Sequence, residues 1–250
     1  MSDTSGVHPT IYVGIDIETA GLDLLHNGIV QIGAYATGEN ENDLYGYFVE
    51  DANPFVNEEG VARDAKEGLM SYQQDAFNVN GFTINRIELA DALANVLCRF
   101  SVWIDNLKKK VSPNVYAVFH GSKFDVPRIE LGMQFFNVPD PQAFRRVIDT
   151  QSLGFLLHGK TESLKNLAAR YGIVDHQAHD ALADAMTTMK VFHAMRRDQA
   201  KRSAPVSPKP WQIGDYVQPS YWPSSPAVYG EDVRREFQTA TGIVLDPPRC

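Results

Sequence analysis

The run Ile11-Tyr-Val-Gly-Ile-Asp-Ile-Glu-Thr19 constrains what this chain can fold into more than any other stretch. Its β-branched and aromatic residues predict a strand, and in a strand successive side chains point to opposite faces. Ile15 and Ile17 therefore share one face, while Gly14, Asp16 and Glu18 share the other, with Gly14 leaving open space beside Asp16. Two carboxylates side by side at a strand end repel each other, and burying them is costly unless cations compensate. The strand either emerges into water or forms the floor of a divalent-metal site.

The surrounding pattern places that strand in a layered domain. Apolar runs over 29–36 and 44–49, joined by a turn at 40–43, predict a hairpin. Apolar residues at helical spacing over 85–110, ending in three lysines, predict a long helix. A fourth strand is expected over 114–119 and a helix over 124–136, with Pro127 tolerable only in its first turn. A fifth strand is expected over 146–149, a short helix capped by Ser163 and stopped by Gly172, and a last long helix over 180–197. A hairpin followed by strands alternating with helices gives an α/β fold, here a mixed five-stranded sheet flanked by helices.

Three other clusters offer groups that could join Asp16 and Glu18. One is His120-Gly-Ser-Lys-Phe-Asp125, where a strand ends and a helix begins, the usual crevice for sites in α/β sheets. Another is Asp175-His-Gln-Ala-His-Asp-Ala-Leu-Ala-Asp184. The third, Asp149-Thr150, reads as a helix cap. Mg²⁺ and Mn²⁺ favour oxygen ligands, and two such ions can clamp the attacking and leaving oxygens of a phosphoryl displacement. A histidine could accept the proton of the attacking water. Spacing alone leaves open which acid near position 180 and which of the two nearby histidines take part. Each cluster also has a plainer reading as a cap or a solvated loop.

Taken in order, Asp16-Ile-Glu-Thr19, His120-x4-Asp125 and His179-x4-Asp184 resemble the DEDDh group of 3′–5′ exonucleases, a ribonuclease H-like fold. Val30-Gln-Ile-Gly-Ala34, Ile148-Asp-Thr150, Ser163-Leu164 with Leu167-Ala168, and the run from His179 to Ala185 support the resemblance, which spans about residues 11–195. It implies that Asp16, Glu18, Asp125 and Asp184 bind two divalent ions, Mg²⁺ or Mn²⁺, and that His179 is the general base. It further implies that Asp180 supports the helix start, that His176 is a loop residue, and that Thr19, Leu22 and Phe124 lie against the terminal nucleotide. The expected activity is hydrolysis at a 3′ end of single-stranded nucleic acid, DNA before RNA, releasing nucleoside 5′-monophosphates. An RNA-trimming enzyme and an inactive nucleic-acid-binding scaffold on the same fold are the alternatives. Three positions depart from the family pattern: Gly121 replaces a common asparagine, Glu67-Gly-Leu69 a common His-Gly pair, and Gln31 a frequent acid.

Composition sets the remaining limits. A formal charge of −8 argues against a surface that grips long duplexes, although acids at a metal site are neutralised when cations bind. Lys123, Arg128, Arg145, Arg146 and the basic cluster at 196–202 could hold a backbone, or simply form a solvated face. Two cysteines and the absence of a signal-like or membrane-length apolar run predict an intracellular protein without a membrane partner. Domains are expected as a loose segment at 1–10, the catalytic domain at 11–199 and an extension at 200–250. Eight of the fourteen prolines and two of the three tryptophans lie beyond Ala204. That aromatic content is unusual for a solvated linker, so the extension is expected to pack on the domain or to dock a protein such as a polymerase.

Overall fold

The computed structural model describes residues 8–64, 66, 68–141, 145–174 and 179–202. The expectations for Glu67, His176 and the extension beyond Arg202 lie outside the described residues. The chain divides at Ser203, and the fold is that of the unit Met1–Ser203.

Six strands form one mixed sheet in the order β4-β3-β2-β1-β5-β6. They are β1 (Ile11–Thr19), β2 (Ile29–Thr37), β3 (Leu44–Asn53), β4 (Asp91–Ala92), β5 (Val115–Phe119) and β6 (Val147–Asp149). β1 is the centre, antiparallel to β2 and parallel to β5. Described helices are α1 (Gln74–Asn80), α2 (Ile84–Glu88), α3 (Leu93–Lys110), α4 (Ser122–Phe135), α5 (Thr150–His158), α6 (Leu164–Arg170) and α7 (Ala181–Arg202).

Alternation along β1 separates the two layers. Ile11, Val13, Ile15 and Ile17 are buried with Leu93, Leu97, Phe100 and Ile104 of α3 and with Ile129 and Met133 of α4. Each such side chain contributes roughly 1.5–3 kcal/mol by leaving water. The other face carries Tyr12, Gly14, Asp16 and Glu18 and is covered by α7, where Val118, Met189 and Phe192 form a second cluster with Tyr12 and Tyr35.

The sheet has six strands where five are expected, because the helical pattern over 85–110 is broken in the middle. The Asp91 carboxylate accepts from the Ala92 N–H and from the Asn95 side chain. Residues 89–92 separate α2 from α3, and the last two of these four residues, Asp91 and Ala92, pair in parallel with Ala52 and Asn53. α4 begins at Ser122, two residues earlier than expected, so Pro127 stands in its second turn rather than its first. The turn before α4 is fastened by Asp149, which accepts from the Gly121 and Ser122 N–H groups while also capping α5.

Gly14 does not leave open space beside Asp16. A Cβ there would lie 2.5 Å from the Met189 side chain and 2.6 Å from the Ala185 carbonyl oxygen. Gly33, paired with Asp16 across the β1–β2 ladder, is tighter still, at 2.1 Å from the Ala181 carbonyl carbon. The two glycines are the seat on which the first turns of α7 rest against the sheet.

Candidate functional site

That seat decides where Asp184 goes. Asp180 fixes the start of α7, its carboxylate accepting from the Ala183 N–H at 3.0 Å and its carbonyl from the Asp184 N–H at 2.9 Å. With α7 lying directly on Gly14 and Gly33, Asp184 in its first turn comes over the end of β1. Asp16, Glu18 and Asp184 then each offer a carboxylate oxygen within 4.8 Å of the others. Asp125 approaches from the opposite layer. It is buried at the start of α4, and its carboxylate accepts from the Ile17 N–H on β1.

Electrostatics record the crowding. Burial, followed by the charges of Asp125, Asp184 and Glu18, pushes the Asp16 carboxyl well above the ordinary carboxylate range. Burial and Asp184 raise Glu18 to about 7 against a hydrogen bond from Asn80. Burial also raises Asp125 to about 7, opposed by the Ile17 N–H and by the Arg128 guanidinium. Arg128 is therefore not a surface cation for a nucleic-acid backbone: it is buried behind Asp125. A cluster of oxygen donors whose charges oppose one another fits hard divalent cations, which would neutralise it.

His179 precedes α7 with a left-handed backbone, φ 68°, a conformation uncommon for residues other than glycine and adopted more readily by asparagine, aspartate and histidine than by other side chains. Its N–H donates to Asp184 Oδ2 at 3.0 Å, and the residue is exposed. The backbone is thus turned so that one residue orients a carboxylate and presents its own side chain to solvent. Strained positions of this kind cluster at functional sites.

Beside the carboxylates lies a cleft of about 400 Å³. Thr19, Leu22, Phe124, Glu18 and His179 all line it, so the structure brings the expected nucleotide contacts, one acid and the histidine to one cleft. His120 stays out of the cleft. The Thr150 hydroxyl donates to the Phe119 carbonyl, so it accepts from His120 Nδ1, which ties β5 to α5.

Gln73 and Asn80 belong to none of the sequence motifs, while Gln31 and Gly33 belong to the run Val30-Gln-Ile-Gly-Ala34. Gln73 and Asn80 close the far wall of the cleft from α1, and Asn80 donates to the Thr19 carbonyl. Gln31 accepts from the Ala181 N–H at the α7 start and donates to Asp51, which Arg86 grips with two hydrogen bonds. Gly33 was detectable, since a glycine inside an apolar strand often marks a close backbone approach.

Comparison with known proteins agrees with this geometry. The profile of the RNase_T family, described as exonuclease, matches residues 13–192. A PolC-type DNA polymerase III from Listeria welshimeri is 24% identical over 196 residues, 77% of this chain. The chain spans only 12% of that polymerase's length. Ribonuclease T from Actinobacillus pleuropneumoniae is 25% identical over 185 residues, covering 72% of this chain and 81% of the enzyme. Among solved structures, the nuclease domain of 3′hExo, a DEDDh family member bound to rAMP, superposes with a TM-score of 0.62 at 14% identity. That match covers 79% of this chain and 95% of that domain. E. coli Exonuclease I in complex with a dT13 oligonucleotide gives 0.60 at 17% identity, covering 77% of this chain and 42% of that one. At such identities the structural likeness is one of fold. The matched profile, the ribonuclease H-like sheet and the acidic group at the end of β1 together place this chain in the RNase_T exonuclease family, as a DEDDh-type 3′–5′ exonuclease domain.

Proposed function

We propose that the chain hydrolyses phosphodiesters at the 3′ end of single-stranded DNA and releases nucleoside 5′-monophosphates. The observation that carries this reading is the double position of Glu18, which belongs to the carboxylate group and also lines the cleft that His179 borders. A nucleotide in that cleft has its phosphate beside the acids. Divalent ions, when bound, supply charge neutralisation and Lewis-acid stabilisation of the phosphodiester.

The chain's own residues do the rest. Asp16, Glu18 and Asp184, with Asp125 behind them, hold the cation site. His179 takes the proton of the attacking water, its exposure at the cleft edge keeping it in contact with solvent. Leu22 and Phe124 embrace the terminal base, a contact that tolerates any sequence. A cleft of about 400 Å³ admits one end residue at a time, so a paired end must fray first. Arg196 and Arg197 are already paired with Glu39 and Glu41.

One observation favours RNA as the substrate: the likeness to Ribonuclease T covers 81% of that enzyme. Matched DNA and RNA oligonucleotides, each labelled at the 3′ or the 5′ end, separate the two readings. The proposal expects immediate loss of the 3′ label from DNA with Mg²⁺ or Mn²⁺, none with chelator, and none from Asp16→Ala. Full activity in Asp16→Ala would sink the site assignment. Faster loss from RNA would move the substrate to the second reading.

A further inference from the structure

Leu22 is an apolar residue in the loop after β1, and its side chain is 72% exposed. An exposed leucine in a loop is normally free to move. Here both polar atoms of its backbone are taken by side chains far away in sequence. Its N–H donates to Gln73 Oε1 at 3.2 Å, and its carbonyl accepts from Arg128 Nη2. Gln73 comes from the opposite wall of the cleft and Arg128 from α4.

The same guanidinium reaches Phe124, which also lines the cleft. Arg128 Nη1 donates to the Phe124 carbonyl at 2.9 Å, and its central carbon stands 3.6 Å from the centroid of the Phe124 ring. The planar fork of arginine suits this double task, because its donors point at two carbonyls while its face stacks on an aromatic ring. The side chain is itself buried, with 8% exposure, and does not line the cleft. Its Nε is buried without a hydrogen bond among the described residues, so the two carbonyls at Nη1 and Nη2 carry its hydrogen bonding, and losing either would leave a further buried donor unmet.

We infer that Arg128 is a positioning residue that clamps Leu22 and Phe124 as the two jaws of the cleft, setting their spacing for a terminal nucleobase. The inference rests on the reading of the cleft as the seat of the 3′-terminal nucleotide. It assigns to Arg128 no contact with the reacting atoms. Fixing two apolar jaws before binding lowers the ordering cost at the moment of binding, so the benefit falls on substrate affinity.

A cycle of two enzymes and two substrates tests it. The substrates are a single-stranded oligonucleotide and the same strand with an abasic 3′-terminal residue, which offers the jaws no base. The enzymes are the full chain and Arg128→Met, which keeps the length of the stem and loses both donors. The expected result is a KM for the normal strand raised tenfold or more in Arg128→Met, with kcat within about threefold. On the abasic strand the two enzymes differ by less than about threefold. Arg128→Lys, which keeps the charge but can reach only one carbonyl, gives an intermediate KM and serves if Arg128→Met fails to fold. An equal loss on both strands would overturn the inference, since Arg128 would then act through its neighbour Asp125. Unchanged kinetics in both variants would overturn it too. A wild-type chain inactive on the normal strand would remove the exonuclease reading itself, an outcome separate from the other two.

Discussion

At the residue scale the site is a set of acids that oppose one another. Glu18 titrates near 7 against an ordinary 4.5, and Asp125 near 7 against 3.8. A carboxyl whose folded value is raised binds its proton more tightly in the folded chain than in the unfolded one. Its stabilising effect is therefore complete below the unfolded value and is lost as pH rises from about 4 through about 7. Metal-free protein should lose several degrees of Tm between about pH 5 and pH 8, and Mg²⁺ or Mn²⁺ should restore most of the loss at the higher pH. A Tm that is flat with pH in chelator would mean that the acids do not compete for charge. Asp16 and Glu18 were legible in the sequence, because strand alternation alone puts them on one face. Arg128 was not. A lone arginine in a helix carries no mark of the carbonyls it will find, and both of its partners, Leu22 and Phe124, are brought to it only by the tertiary fold.

At the scale of elements, α7 carries the argument. It covers one face of the sheet and delivers Asp184, and it can do both only because Gly14 and Gly33 let it lie on the strands. Gly33→Ala would set a methyl carbon 2.1 Å from the Ala181 carbonyl carbon, which is backbone and cannot rotate away. Overpacking of this kind costs typically 1–3 kcal/mol. The variant should also lose exonuclease activity by about a hundredfold or more, since lifting the first turn of α7 moves Asp184. Thermal unfolding and end-label release measure the two effects, and an active, fully stable Gly33→Ala would show that α7 has room. The longer strands and helices α3, α4, α6 and α7 were readable from periodicity, including Ser163 as a cap, whereas α2 and α5 were not. β4 was not, because a strand of two residues has no period and lies inside an otherwise helical pattern. The open space expected beside Gly14 was the same kind of error: alternation gives the face of a residue but says nothing of what covers that face.

At the scale of the molecule, the sheet order places β1 at the centre and the acids at the end of that strand, where α4 and α7 converge from opposite layers. No helix among the described residues is long and apolar enough to cross a membrane. The order of motifs along the chain was enough to foresee this convergence, while the far wall of the cleft from α1 was not, since Gln73 and Asn80 belong to no pattern. α7 is buried along one face from Thr187 to Met195, and its first turn, also seated on the sheet, is held by the Gln31 side chain and the Asp180 cap against the charge on Asp184. In hydrogen-exchange terms the helix is two units. Amides at 181–184 should exchange through a small local opening, and those at 187–195 only through global unfolding. A divalent cation should slow exchange at 181–184 more than at 187–195, whereas uniform slowing would mean that it acts on the fold as a whole. Ion binding and the closing of one helical turn would then be a single event, so the chain would finish assembling its site only when the cation arrives.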